Sequence, residues 1–251
     1  MVRTLREAVT ASEVRVEPKE TPGIEVNGVP ADLDHVVKAD VRVDLVSDRT
    51  RAFVVEHVLG PLGLCGVTAA RVEGVVDEWE FVRPEHRFCY AADLPPSSVV
   101  GHPHGLPNPA LTAAVADADV VGEERARTTV TEPVEHRTNG GDITLRPREY
   151  GSGVRFEATY GGAELVADVD PAGENDVALV DAVTSSTTPY LAPDDEEAVT
   201  HSIADLVSDV AVIGGVDDAV VEANLGGAYH ALTVGVARKA HERGVVERRE
   251  E

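Results

Sequence analysis

Apolar and polar residues alternate at the strand period over residues 12–17 and again over 39–46, ADVRVDLV. The run RAFVVEHVLGPLGLCG then reads as a short strand entering a helix, and Pro61 and Gly63 obscure where that helix ends. GVTAARVEGV predicts a further strand. Beyond the proline-rich DLPPSSVVGHPHGLPNP, a helix is expected over about residues 108–119.

β-Branched residues dominate the next stretch, where Asn139-Gly140-Gly141 marks a hairpin turn. Strand patterns continue through AELVADVD and ENDVALVDAV. PDDEEAVTHSIADLVSDVAVIGG supplies an acidic first turn, with Asp194 or Asp195 placed to cap it, and an apolar-periodic helix ending near Gly214. A last helix is predicted from about Ala228 to His241, with basic residues toward its C-terminus. Strands followed by helices thus occur twice. The pattern predicts an α+β fold of two similar domains, residues 1–125 and 126–251, each a small sheet with helices packed on one face. The chain is long enough for two such cores, although no sequence repeat establishes a duplication.

Charge narrows the partners. There are 45 Asp plus Glu against 22 Lys plus Arg, a formal net charge of −23, and the acids are scattered among apolar segments. They therefore read as a solvated shell and not as a disordered tail. Lys19, Lys38 and Lys239 are the only lysines beside nineteen arginines, a balance that resembles proteins of extreme halophiles, in which salt screens the self-repulsion. No basic patch is visible for phosphate recognition, so nucleic acid is not an expected partner. The absence of a long apolar run or an apolar leader predicts no transmembrane segment and a cytoplasmic location. Cys65 and Cys89 form neither a CxxC pair nor a disulfide framework.

The chemistry concentrates elsewhere. His201 and Asp205 are four residues apart in THSIADLVSD, a spacing that puts an imidazole and a carboxylate on one helix face, as two metal ligands require. Glu56-His57, within an apolar run, offers a third ligand beside a carboxylate that can act as a base, and His230 supplies a further imidazole. Each pair alone has an ordinary reading as a surface, capping or satisfied core group. The apolar flanks change the balance, because a buried imidazole needs partners for both ring nitrogens and a metal supplies one of them.

Together these stretches resemble the UDP-3-O-acyl-N-acetylglucosamine deacetylases, the zinc amidases of lipid A synthesis. RTLREAVTASEVRV is similar to the family's opening strand segment, VVEHVLGPLGL to its first zinc motif, and PVEHRTNGGDITLRP to the strand pair that starts its second domain. THSIADLVSDVAVIGG resembles its second ligand motif, and AYHALTVGVARK its last active-site helix. The matches are short, follow the family's order and span most of the chain. The resemblance implies His57, His201 and Asp205 as zinc ligands, Glu56 as general base, and His230 as the group that stabilises the oxyanion and protonates the leaving amine. It also implies a site between the two domains. Asp209 matches the family's second aspartate, where its place one turn beyond Asp205 suits orienting His230.

Ser202 stands where the family keeps a lysine, Tyr229 where it keeps a glycine, and Thr233-Val234 where it keeps two asparagines. The implied function is therefore zinc-dependent removal of an acyl group, in the first place acetyl, from an N-acylated amino sugar or sugar nucleotide other than the lipid A precursor. The alternative is a noncatalytic binding or scaffold protein that keeps the fold.

Overall fold

The computed structural model describes residues 2–11, 14–40, 42–48, 50–75, 109–122, 127–170, 175–186, 189, 192–227 and 229–249. Cys89 and most of the proline-rich stretch lie outside them. The fold is mixed α+β. Five α-helices occur among the described residues: α1 (Glu56–Leu64), α2 (Pro109–Ala116), α3 (Val177–Ser185), α4 (Asp195–Leu206) and α5 (His230–Glu242). Helix α4 runs on without a break into a π-helical segment, Val207–Ile213.

Two five-stranded sheets carry the framework. One comprises Val9–Ala11, Val14–Pro18, Gly23–Val26, Val29–Pro30 and Ala69–Glu73; the other comprises Val134–Thr138, Gly141–Pro147, Val154–Tyr160, Ala163–Val169 and Ala219–Leu225. Numbered within each sheet in chain order, both have the lateral order first, second, fifth, third, fourth. In both, the third and fifth strands form a parallel pair while the others run antiparallel. In each case helix separates the fourth strand from the fifth and another helix follows it: α1, after three further strands, and then α2 in one, α3, α4 and the π-helical segment and then α5 in the other.

The turn at Asn139-Gly140 joins Thr138 to Gly141 as expected, and Gly141 has a φ of +127° that suits glycine. Side chains of the second sheet alternate. Ile143, Leu145, Val154, Phe156 and Ala158 are buried on one face, while Asp142, Glu164 and Asn224 are directed to the other. The buried residues form two apolar clusters, one mainly from residues after 130 and one mainly from residues before 116. Each takes a contribution from the other half. Leu64 joins the first, and Ile213 and Val234 join the second.

Two elements differ from expectation. ENDVALVDAV is helix α3 and not a strand: Asp176 accepts a hydrogen bond from the Ala178 amide at 2.8 Å, and Leu179, Val180, Val183 and Thr184 face inward at helical spacing. The alternating run 39–46 is not one strand but is divided between two. Val36–Ala39 pairs antiparallel with Val43–Ser47, and the Arg42 guanidinium donates to the Asp44 carboxylate at 2.6 Å, a buried pair that lets both polar residues sit among apolar ones. No helix among the described residues is long and apolar enough to cross a membrane.

Candidate metal centre

Helix α1 starts from a strained residue. The strand Thr50–Phe53 ends at Val54, whose φ of +57° lies in the left-handed region that β-branched residues avoid. Such strain costs about 1–3 kcal/mol and persists where packing fixes it; both Val54 and Val55 are buried. The reversal places Glu56 and His57 in the first turn of α1, only 1% and 3% exposed. The Glu56 Oε2 accepts a hydrogen bond from the Val43 amide at 2.9 Å, which ties the carboxyl to the start of the strand Val43–Ser47.

Helix α4 is capped by Asp194, whose carboxylate accepts from the Glu197 amide at 2.9 Å, and Asp195, Glu196 and Glu197 set negative charge at the positive end of its dipole. His201 and Asp205 then share a buried face. The approach of α1 to α4 depends on Gly60, where an added methyl group would lie 2.5 Å from the Ala204 carbonyl oxygen.

The two helices bring His57, His201 and Asp205 together, with one ligand atom from each within 4.8 Å of the others. The imidazole rings meet edge to face, their centroids 5.3 Å apart. His201 Nδ1 lies 3.1 Å from the Ser186 carbonyl oxygen. A carbonyl only accepts, so Nδ1 carries the hydrogen and Nε2 of the neutral ring presents a lone pair. That lone pair faces Asp205 Oδ2 at 3.5 Å. Among the described residues, His201 Nε2 and Asp205 Oδ1 are buried without a hydrogen-bond partner. A proton, a bridging water or a metal cation can satisfy such acceptors; because donors from three residues converge, the geometry fits a cation. The group can hold a metal ion, and its nitrogen and oxygen donors suit a divalent transition metal. No family model matches the chain, and a search of curated proteins finds no match.

The remaining groups surround this centre. His230 Nε2 is 3.9 Å from Glu56 Oε1 and 3.9 Å from Asp205 Oδ2. Its Nδ1 donates to Asp209 Oδ2 at 2.7 Å, and the Thr233 hydroxyl donates to the same oxygen. Asp209 is carried by the π-helical segment and is fully buried. Burial pushes the Glu56 carboxyl up to about 8, with the His230 charge pulling it down and Asp205 adding to the rise. For His230, burial acts downward, yet Asp209, Asp205 and Glu56 together raise it to about 10.

All six residues singled out in the sequence, Glu56, His57, His201, Asp205, Asp209 and His230, therefore meet in one buried cluster. Ser202 and Tyr229, which mark departures from the deacetylase pattern, are wired into it as well. The Tyr229 phenol donates to Asp205 Oδ2 at 2.6 Å, and Ser202 Oγ lies 3.1 Å from the phenol oxygen. Burial, then the charge of Asp205, raises the phenol well above its ordinary value, so it keeps its proton. Sequence reasoning missed the Val43 amide and the Ser186 carbonyl, which act through the backbone, and the close-packed Gly60. Only Gly60 left a signal, as a glycine inside an otherwise apolar helix.

Proposed function

We propose that this chain is a zinc-dependent hydrolase that removes an acyl group, in the first place acetyl, from an N-acylated amino sugar or sugar nucleotide. One observation carries the reading: the His57, His201 and Asp205 donors converge beside a carboxyl and an imidazole, with Glu56 Oε1 3.9 Å from His230 Nε2. A His2Asp set with an open position suits zinc. When bound, such an ion acts as a Lewis acid that polarises a carbonyl and acidifies a water.

The chain's own groups divide the proton work. Glu56, fixed through Oε2 by the Val43 amide, offers Oε1 to the proton of a water attacking the amide carbonyl. With a cation held by His57, His201 and Asp205, Glu56 would release its proton more readily than it does in the metal-free centre. His230, fixed through Nδ1 by Asp209, presents its Nε2 proton first to the oxyanion and then to the departing amine. This division of roles matches the one implied by the resemblance to the lipid A deacetylases. Ser202 and Tyr229, in place of that family's lysine and glycine, favour a substrate other than the lipid A precursor. The same reading takes residues 1–125 and 126–251 as two similar domains, supported by the shared strand order, with α1 of one and α4 of the other forming the site.

The near-complete burial of these groups favours a second reading, a noncatalytic protein with a structural ion closed by His230. One experiment separates the two. Zinc-loaded protein is incubated with UDP-N-acetylglucosamine and simpler N-acetyl amino sugars, and amine release is measured against the isosteric Glu56→Gln variant. Turnover that falls by about 100-fold or more in the variant is the expected result, in line with loss of a general base. Stoichiometric zinc with no turnover would support the structural ion instead.

A further inference from the structure

The Tyr229 hydroxyl reaches the centre yet serves neither as a ligand nor in the proposed proton transfers. We propose that Tyr229 is a positioning residue for the metal ligand Asp205, and that Ser202 completes its hold. The inference rests on the metal-centre reading of His57, His201 and Asp205.

The phenol, which keeps its proton, donates it to Asp205 Oδ2 in the 2.6 Å contact. The phenol oxygen in turn accepts from Ser202 Oγ at 3.1 Å, whose single hydroxyl hydrogen is shared with the Ala198 carbonyl at 2.9 Å. Ser202 and Asp205 both belong to α4, so the phenol bridges two points of the ligand helix. Tyr229 immediately precedes His230 at the start of α5, and the adjacent imidazole binds Asp209. A single turn of chain therefore grips two acids four residues apart on the continuous α4 and π-helical rod. With both Tyr229 and Ser202 buried, no water can take over either contact without opening the core. Without the phenol, the Asp205 carboxylate would be free to turn about its last bond, and the start of α5 would lose one of its two anchors. Hydrogen bonds to ligating carboxylates of this kind typically sustain about 10- to 100-fold of metal affinity.

The test is titration of the metal-free protein with cobalt(II), which replaces zinc and reports ligand geometry through its visible absorption. Tyr229→Phe is expected to bind cobalt about 10- to 100-fold more weakly and to give an altered spectrum, since the carboxylate no longer meets the ion at a fixed angle. Affinity within about twofold of wild type, with an unchanged spectrum, would overturn the inference. Should Tyr229→Phe fail to fold, Ser202→Ala keeps the phenol and removes its second anchor. A weaker change in the same direction supports the assignment, and an unchanged affinity and spectrum overturns it. A wild-type protein that binds no cobalt would overturn the metal reading itself, whereas a wild type that binds and a variant that matches it would remove only the role of Tyr229.

Discussion

At the scale of single residues, Glu56 and His230 couple folding to protonation. Glu56 is raised from 4.5 to about 8, chiefly by burial, and His230 from 6.5 to about 10 by the carboxylates around it. Both groups therefore bind protons more tightly in the folded chain than in the unfolded one. The Glu56 contribution to stability is fully present below 4.5 and is lost as pH climbs to about 8; that of His230 is lost between 6.5 and about 10. With metal removed by a chelator, the thermal midpoint should fall steadily from about pH 5 to about pH 9. Glu56→Gln should flatten the lower part of that slope. A variant with the wild-type slope would mean that Glu56 is not the buried acid described. The residues of the candidate centre were legible because a four-residue spacing alone puts His201 and Asp205 on one face, and because Glu56-His57 and His230 sit in apolar runs. The Ser186 carbonyl and Val43 amide were not, since a backbone group has the same chemistry whatever residue bears it.

Between helices, spacing matters more than propensity. Gly60 lies inside α1, where replacement by alanine would favour an isolated helix by up to about 1 kcal/mol. Here the added methyl would lie 2.5 Å from the Ala204 carbonyl oxygen, next to Asp205 of the candidate centre, so backbone would have to move. Gly60→Ala should therefore lower the thermal midpoint and weaken metal binding by about tenfold or more, because α1 carries His57 away from its partners. Calorimetry and metal titration would check both; a variant that melts higher and binds equally well would show that this contact does not set the site. Helix α4 was legible from its acidic cap and apolar period. Its continuation as a π-helix was not, because one extra residue per turn over seven residues is too small a phase change to read from apolar positions. Helix α3 was misread because consecutive apolar residues in VALVDAV satisfy either period, and the deciding feature was the Asp176 cap.

Across the whole molecule, the α+β class was legible from strands followed by helices. The common strand order of the two sheets was not, since it is carried by pairings such as Glu25 with Arg71 and Glu157 with Glu222 that need no similarity of sequence. The clusters also interlock through Leu64, Ile213 and Val234, so any expansion of one half strains the other. Onto this frame falls a formal charge of −23, with carboxylates at Glu164, Asp168 and Asp194 to Glu196 on the exposed surface. Repulsion among them opposes the compact state until salt screens it. The screening length shrinks from about 10 Å at 0.1 M to about 3 Å at 1 M, so nearly all the electrostatic relief is gained by that point. The thermal midpoint should rise with potassium chloride and then level off above about 1 M. A midpoint that stays flat would show that the ion pairs, such as Arg155 with Glu157 and Asp168, already neutralise the field locally. A rise that continues undiminished to several molar would instead trace the stabilisation to strengthened apolar burial, which acts without saturation and owes nothing to the acidic surface.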